Sequence, residues 1–184
     1  MIPSLYPTFQ RWSSTGSIYI ISDTHFDDPD RDLMGYTIST EEHVDIIKRK
    51  ITKTDTLIHL GDVGDPKYFS DIKGYKVLLL GNHDETATKF KKYFDEIYTG
   101  PLFIGEKILL SHEPIDVGDI AVNLHGHDHN YDNDYSYNWM NFAANVIGYE
   151  PVSLGKLIKD GLLRYVSGIH RLTIDKAKDK QIRF

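Results

Sequence analysis

The sequence predicts an α/β fold, and three observations carry the prediction. Five short apolar runs each end abruptly in polar side chains: Ile18–Ile21 before Ser22-Asp23-Thr24-His25, Thr56–Leu60 before Gly61-Asp62, Val77–Leu80 before Gly81-Asn82-His83-Asp84, Lys107–Leu110 before Ser111-His112, and Ile120–Leu124 before His125-Gly126-His127-Asp128-His129. Buried strands that stop in this way deliver polar groups to the carboxyl rim of a sheet, where open α/β sheets keep their ligand crevices. Between the first two runs lies a stretch of helical periodicity, and a further helical pattern follows the last.

Residues 1–16 hold Pro3, Pro7, Gly16 and scattered aromatics, and are expected to be an extension before the first strand. Phe26–Thr37 reads as a polar loop, in which Arg31 is expected to be a solvated surface charge. Ser39-Thr40-Glu41-Glu42 has capping-box spacing, and Val44, Ile47 and Ile51 recur at helical intervals, so a helix is expected over Thr40–Thr52. The Thr56–Leu60 strand, a short helix near Lys67–Ile72, the Val77–Leu80 strand and a short helix over Thr86–Phe94 should follow; Lys89 there reads as another solvated charge. Pro101–Ile104 and Lys107–Ser111 suggest a hairpin turning at Gly105-Glu106. Strands at Ile120–His125 and Phe142–Ile147 would extend a second sheet. Leu154, Leu157, Ile158, Leu162 and Leu163 form a helical pattern weakened by Gly155. Arg164–Phe184 is expected to be a C-terminal extension with one more strand at Leu172–Ile174.

The 184 residues fit one domain, with 40% hydrophobic and 26% charged side chains indicating a globular protein. A net charge of −6 gives no overall basic footprint for gripping nucleic acid through phosphates. Zero cysteines exclude disulfides and thiolate metal sites and fit a reducing compartment, so the cytoplasm is the expected location. No apolar run approaches the roughly 18 residues of a membrane span.

Oxygen and imidazole donors at five strand ends suit Zn, Mn, Fe, Co or Ni. Taken singly, each string could merely cap a turn. Taken in order, Asp-x-His, Gly-Asp-x-x-Asp, Gly-Asn-His-Asp, His and Gly-His-x-His resemble the calcineurin-like metallophosphoesterases, from about Ile18 to Leu163, and the chain after His-x-His is similar to short single-domain bacterial and phage-type members. The resemblance implies a four-layer αββα sandwich of two mixed sheets flanked by helices, with metals at the carboxyl rim. It implies two divalent ions bridged by Asp62, with Asp23, His25 and His129 completing the first site and Asn82, His112 and His127 the second, the pair holding a hydroxide in line with a phosphoryl group. His83 resembles the family's catalytic histidine, which protonates the leaving oxygen or stabilises charge on the phosphoryl group, with Asp84 expected to orient its ring. An extended backbone, in which residues i and i+2 share a face, would let Asp23 converge with His25, and His127 with His129. Asp65 is expected to stand behind the ligands, and Pro66 occupies a position where many relatives have Arg.

His59 reads as a satisfied core histidine, His43 and His170 as a helix-face and a tail residue, and His125 as a support for the ligands. Tyr131, Tyr135, Tyr137 and Trp139 read as packing aromatics before base-stacking ones. The functional expectation is a metal-dependent phosphoesterase acting on a small phosphodiester or monoester, nucleotide-derived esters included. A nuclease is the alternative, disfavoured by the charge, and a non-catalytic scaffold of the same fold would be expected to have lost ligands that this chain keeps.

Overall fold

In the computed structural model, residues 16–105, 107–130, 138–163 and 166 are described. The first sheet contains β1 (Ile18–Ile21), β2 (Thr56–His59), β3 (Tyr75–Leu79), β4 (Glu96–Tyr98) and β9 (Val152–Ser153), in the order β4-β3-β2-β1-β9. Its first four strands are parallel and β9 runs antiparallel to β1. The second contains β5 (Leu102–Gly105), β6 (Ile108–Leu110), β7 (Val122–His125) and β8 (Trp139–Asn141), in that order. β5 and β6 form the expected antiparallel hairpin, while β6, β7 and β8 are parallel. The hairpin's turn at Glu106 lies outside the described residues, as do the Tyr131–Tyr137 loop, His170 and the expected Leu172–Ile174 strand.

Alternation along the strands splits the apolar side chains between two cores. Ile18, Ile20, Ile58, Val77 and Leu79 face Ile108, Leu110, Val122, Leu124 and Met140 across the space between the sheets. Ile21, Leu57, Leu78 and Ile97 point to the opposite face of the first sheet and meet Val44 and Ile47 of helix α1 (Thr40–Lys50). The helix starts where Ser39 Oγ accepts the Glu42 amide at 3.1 Å, and acidic residues in its first turn and basic ones in its last suit its dipole. The sandwich of two mixed sheets with flanking helices is the expected fold.

Several boundaries differ from expectation. The stretch near Lys67–Ile72 is a 3₁₀ turn over Pro66–Ser70, capped by Asp65, whose side chain accepts the Lys67 amide at 3.0 Å. Thr86–Phe94 supplies only the single-turn α2 (Ala87–Phe90), and α3 (Leu154–Lys159) stops before Gly161, which has φ 70°. The eighth strand ends at Asn141, and Phe142–Ile147 is no strand. Asn141 Oδ1 accepts the Ala143 amide at 2.9 Å, turning the chain toward β1, where Ser22 N–H donates to Phe142 O and Ala144 N–H to Ser22 O. This crossing stitches the second sheet to the end of β1.

Candidate metal centre

Both sheets send their strand ends to one place. Asp23, His25 and His129 form one group of ligand atoms, all within 4.8 Å of one another, and Asp62, His112 and His127 form a second. Asn82 joins the second: its Oδ1 lies 2.7 Å from His112 Nε2 and 3.1 Å from His127 Nδ1. Asp62 stands between the groups. Its Oδ2 is 3.7 Å from His25 Nε2 and 3.2 Å from His112 Nε2, while its Oδ1 accepts the His83 amide at 2.9 Å.

The convergence does not come from extended backbone, as the spacing had suggested. Asp23, His25, Asp62 and His127 have φ of 54°, 40°, 58° and 69°, a left-handed conformation that costs non-glycine residues of order 1 kcal/mol each. The chain kinks at each strand end, and the kinks are held from behind. Arg31, expected on the surface, is buried: Nη1 donates to Thr24 O at 2.6 Å and His25 O at 3.1 Å, and Nη2 donates to Ile38 O at 3.2 Å. Its guanidinium lies 4.3 Å over the Tyr36 ring, whose hydroxyl donates to Asp23 O. Gly81 must be glycine for a different reason, since a Cβ there would come within 2.2 Å of Asp62 Oδ1.

Three of the candidate ligand histidines turn the same nitrogen inward because the other is occupied. His25 Nδ1 donates to Asp28 Oδ2 at 3.0 Å, His112 Nδ1 to Leu60 O at 3.0 Å and His129 Nδ1 to Asn145 Oδ1 at 3.1 Å. Each bond holds a proton on Nδ1 and leaves Nε2 turned toward the site. Asn145 also donates to His129 O at 2.8 Å and Met34 O at 3.2 Å, fixing the loop as well as the ring.

The donor set fits divalent cations. Asp23 Oδ1 and His25 Nε2 are buried without a hydrogen-bond partner although 4.0 Å apart, an arrangement that is costly unless a positive charge lies between them. In the second group, burial works against a proton on His112, but the Asp62 carboxylate prevails and holds its pKa up at about 9. Asp62, which burial would push up, is held down at about 2 by His112 and the other donors around it. A proton shared there does what a cation would do better.

His83 is exposed at the edge of the first group, its ring centroid 5.6 Å from that of His25. Asp84, among the described residues, makes no hydrogen bond to that ring. Its Oδ2 accepts the amides of Asp62 and Gly81, each at 2.9 Å, and its Oδ1 that of Val63 at 3.1 Å, so it locks the loop after β2 to the loop after β3. Asp65 is likewise not behind the ligands but at the 3₁₀ cap, paired with Lys67 at 2.9 Å. His59 is the satisfied core residue expected. Thr24 Oγ1 donates its proton to Val63 O, so His59 Nε2 must donate to Thr24 Oγ1 at 3.0 Å, leaving Nδ1 to accept the Gly61 amide at 3.2 Å. His125 is buried beside the site with Nδ1 2.7 Å from Gly126 O. Sequence reasoning missed Asp28, Arg31, Tyr36 and Asn145. Only Asp28 carried a signal, a carboxylate three residues beyond a ligand histidine.

Fold and site together define an α/β sandwich with two candidate metal-binding groups of oxygen and imidazole donors at the carboxyl rim. Residues 17–141 match the calcineurin-like phosphoesterase superfamily domain, and the chain belongs to that family. Its members are in general phosphate-ester hydrolases that use divalent metals. A protein of unknown function from Aquifex aeolicus has a similar structure, with a TM-score of 0.66 and 25% identity over 78% of this chain and 98% of that one. A nuclease from Pseudomonas putida aligns with a TM-score of 0.42 and 22% identity, over 60% of this chain and 59% of that one. No curated protein matches the chain. Among the described residues no helix is long and apolar enough to cross a membrane.

Proposed function

We propose that this chain is a dinuclear metal-dependent phosphoesterase acting on a small phosphate ester, nucleotide-derived esters included. The observation that carries the reading is the position of Asp62 Oδ2, which faces His25 of one group and His112 of the other. Asp23, His25, Asp62 and His129 would hold one divalent ion, and Asp62, Asn82, His112 and His127 the second. When bound, the ions supply charge neutralisation at the phosphoryl oxygens and a lowered pKa for the attacking water. Mn, Zn, Fe, Ni and Co all suit these donors.

The side chains divide the remaining work. His83, exposed at the edge of the first group, donates a proton to the departing ester oxygen. Its own amide donates to Asp62, which ties the backbone that carries the catalytic imidazole to the shared carboxylate. Asp84 acts as a positioning residue through the loops it joins. Nucleic acid is a less favoured substrate for a chain of net charge −6, and a single domain in the cytoplasm fits the length and the lack of cysteine.

The test is metal content and turnover on the same samples. Elemental analysis of protein loaded with Mn should give two ions per chain, with hydrolysis of p-nitrophenyl esters of phosphate. Asp62→Asn should lower metal content and abolish hydrolysis together. Full turnover by that variant, or wild-type protein that holds no metal, would overturn the proposal.

A further inference from the structure

A pocket of about 300 Å³ opens directly from the second group of ligands. Asn82 and His112 form part of its wall, so a group bound there would be continuous with a phosphoryl group at the metal centre. Leu80, Pro101 and Ile115 supply apolar wall, and Ser111 Oγ is already committed to Glu113 O at 2.6 Å. No lysine or arginine lies among the described lining residues. Apart from the ligand His112, the one ionisable side chain there is Glu113, exposed at the rim. The volume is at the small end of the range of roughly 300–1,000 Å³ usual for ligand pockets, which suits one ring system or nucleoside.

The side on which the pocket lies decides its role. His83 is not part of its wall, and its ring lies instead against His25 of the first group. The leaving oxygen, which takes its proton from His83, departs on that first side. What enters the pocket therefore stays on phosphorus.

We propose that this pocket receives the retained substituent of a phosphodiester, an uncharged and largely apolar group of nucleoside size, and that the Glu113 carboxylate excludes substituents carrying a further phosphate. The inference rests on the phosphoesterase reading above. In the reaction, water adds its oxygen to phosphorus as the bond to the leaving oxygen breaks. His83 supplies the proton of the departing alcohol, one water proton is released to solvent and the other restores His83, and the product is a monoester whose remaining substituent occupies the pocket. A monoester substrate has no such second substituent and leaves the pocket unused. A second anion would meet Glu113, and no lysine or arginine among the described lining residues stands beside it to offset the repulsion.

Three chromogenic esters test this with the Mn-loaded protein: p-nitrophenyl phosphate, the p-nitrophenyl diester of thymidine monophosphate, and that diester with a second phosphate on its deoxyribose. Nitrophenolate leaves without needing a proton, so the comparison reads the pocket rather than His83. The wild type should favour the thymidine diester over the monoester in kcat/KM by about tenfold or more, and over the doubly phosphorylated diester by about tenfold. Ile115→Trp, which fills the pocket, should lower the diester-to-monoester preference about tenfold, mainly through KM. Glu113→Lys, at an exposed position, should reverse the discrimination between the two nucleotide esters and keeps the test open if the tryptophan variant does not fold. Equal handling of monoester and diester by the wild type overturns the pocket assignment and leaves the phosphoesterase reading standing, as does a Glu113→Lys variant with unchanged preferences. Absence of hydrolysis of all three esters overturns both.

Discussion

His83 and Asp84 are neighbours in sequence with opposite kinds of work, and substitution should separate them. His83 is exposed and its ring makes no hydrogen bond among the described residues, so His83→Ala should leave stability within about 0.5 kcal/mol and metal content unchanged. Turnover of an alkyl ester, whose leaving oxygen needs a proton, should nevertheless fall by about 10²–10⁴. Asp84→Ala strands the amide donors of Asp62, Gly81 and Val63. Each buried unsatisfied donor costs about 1–3 kcal/mol, so the loss should be about 3 kcal/mol or more, accompanied by lower metal content because Asp62 sits on the loop that is released. Urea unfolding and elemental analysis of both variants check this. An Asp84→Ala protein that keeps its stability and metal while losing turnover would return Asp84 to the ring-orienting role that its place beside His83 suggests.

The loop between β1 and α1 is the element on which the first metal group depends. Asp23 and His25 reach the site only through left-handed kinks, and the carbonyls of Thr24 and His25 at those kinks are tied to Arg31. Arg31→Met keeps much of the packing over Tyr36 but removes the donors. It should destabilise the protein by about 2–3 kcal/mol and reduce bound metal from two ions toward one, the second group staying filled. Two ions retained at wild-type affinity would show that the kinks hold without the guanidinium. The candidate ligands, which the structure brings together, were legible in the sequence because each sits in a contiguous string at the end of an apolar run. Arg31 was not, since its targets are backbone carbonyls, which any residue offers. The same limit hid β4 and β9, with only three and two residues. Glu96 in β4 is buried, and the hydroxyls of Tyr75 and Tyr98 donate to it, each at 2.6 Å. At Phe142–Ile147 an apolar run was read as a strand, but the Asn141 side chain had already turned the chain, and the run serves to join the sheets.

Across the whole molecule, acid stability should be governed in part by histidines that bind no metal. His59 lies between Phe69 and Phe94, and His43 between Phe26 and Tyr149, with centroid separations of 5.3–6.3 Å. Among the described residues His43 has no well-formed hydrogen bond at either ring nitrogen, the Tyr149 backbone offering only a weak contact. Burial pushes the pKa of each from 6.5 down to about 3. Both rings are neutral in the folded protein, whereas the unfolded chain takes up a proton at each below pH 6.5. The stability they permit is complete above 6.5 and is lost as pH falls toward 3, by about 1.4 kcal/mol per pH unit for each ring once the unfolded form is fully protonated. His43→Phe removes one of these proton uptakes while keeping an aromatic ring against Phe26 and Tyr149. Its Tm should therefore fall less steeply than that of the wild type between about pH 6 and pH 4, measured on chelator-treated samples so that release of metal from the ligand histidines does not enter the comparison. The two profiles should run parallel above about pH 7, where neither state binds a proton at this position. Parallel profiles through the acid range as well would mean that His43 is solvated and titrates normally, and that α1 does not seal the outer core.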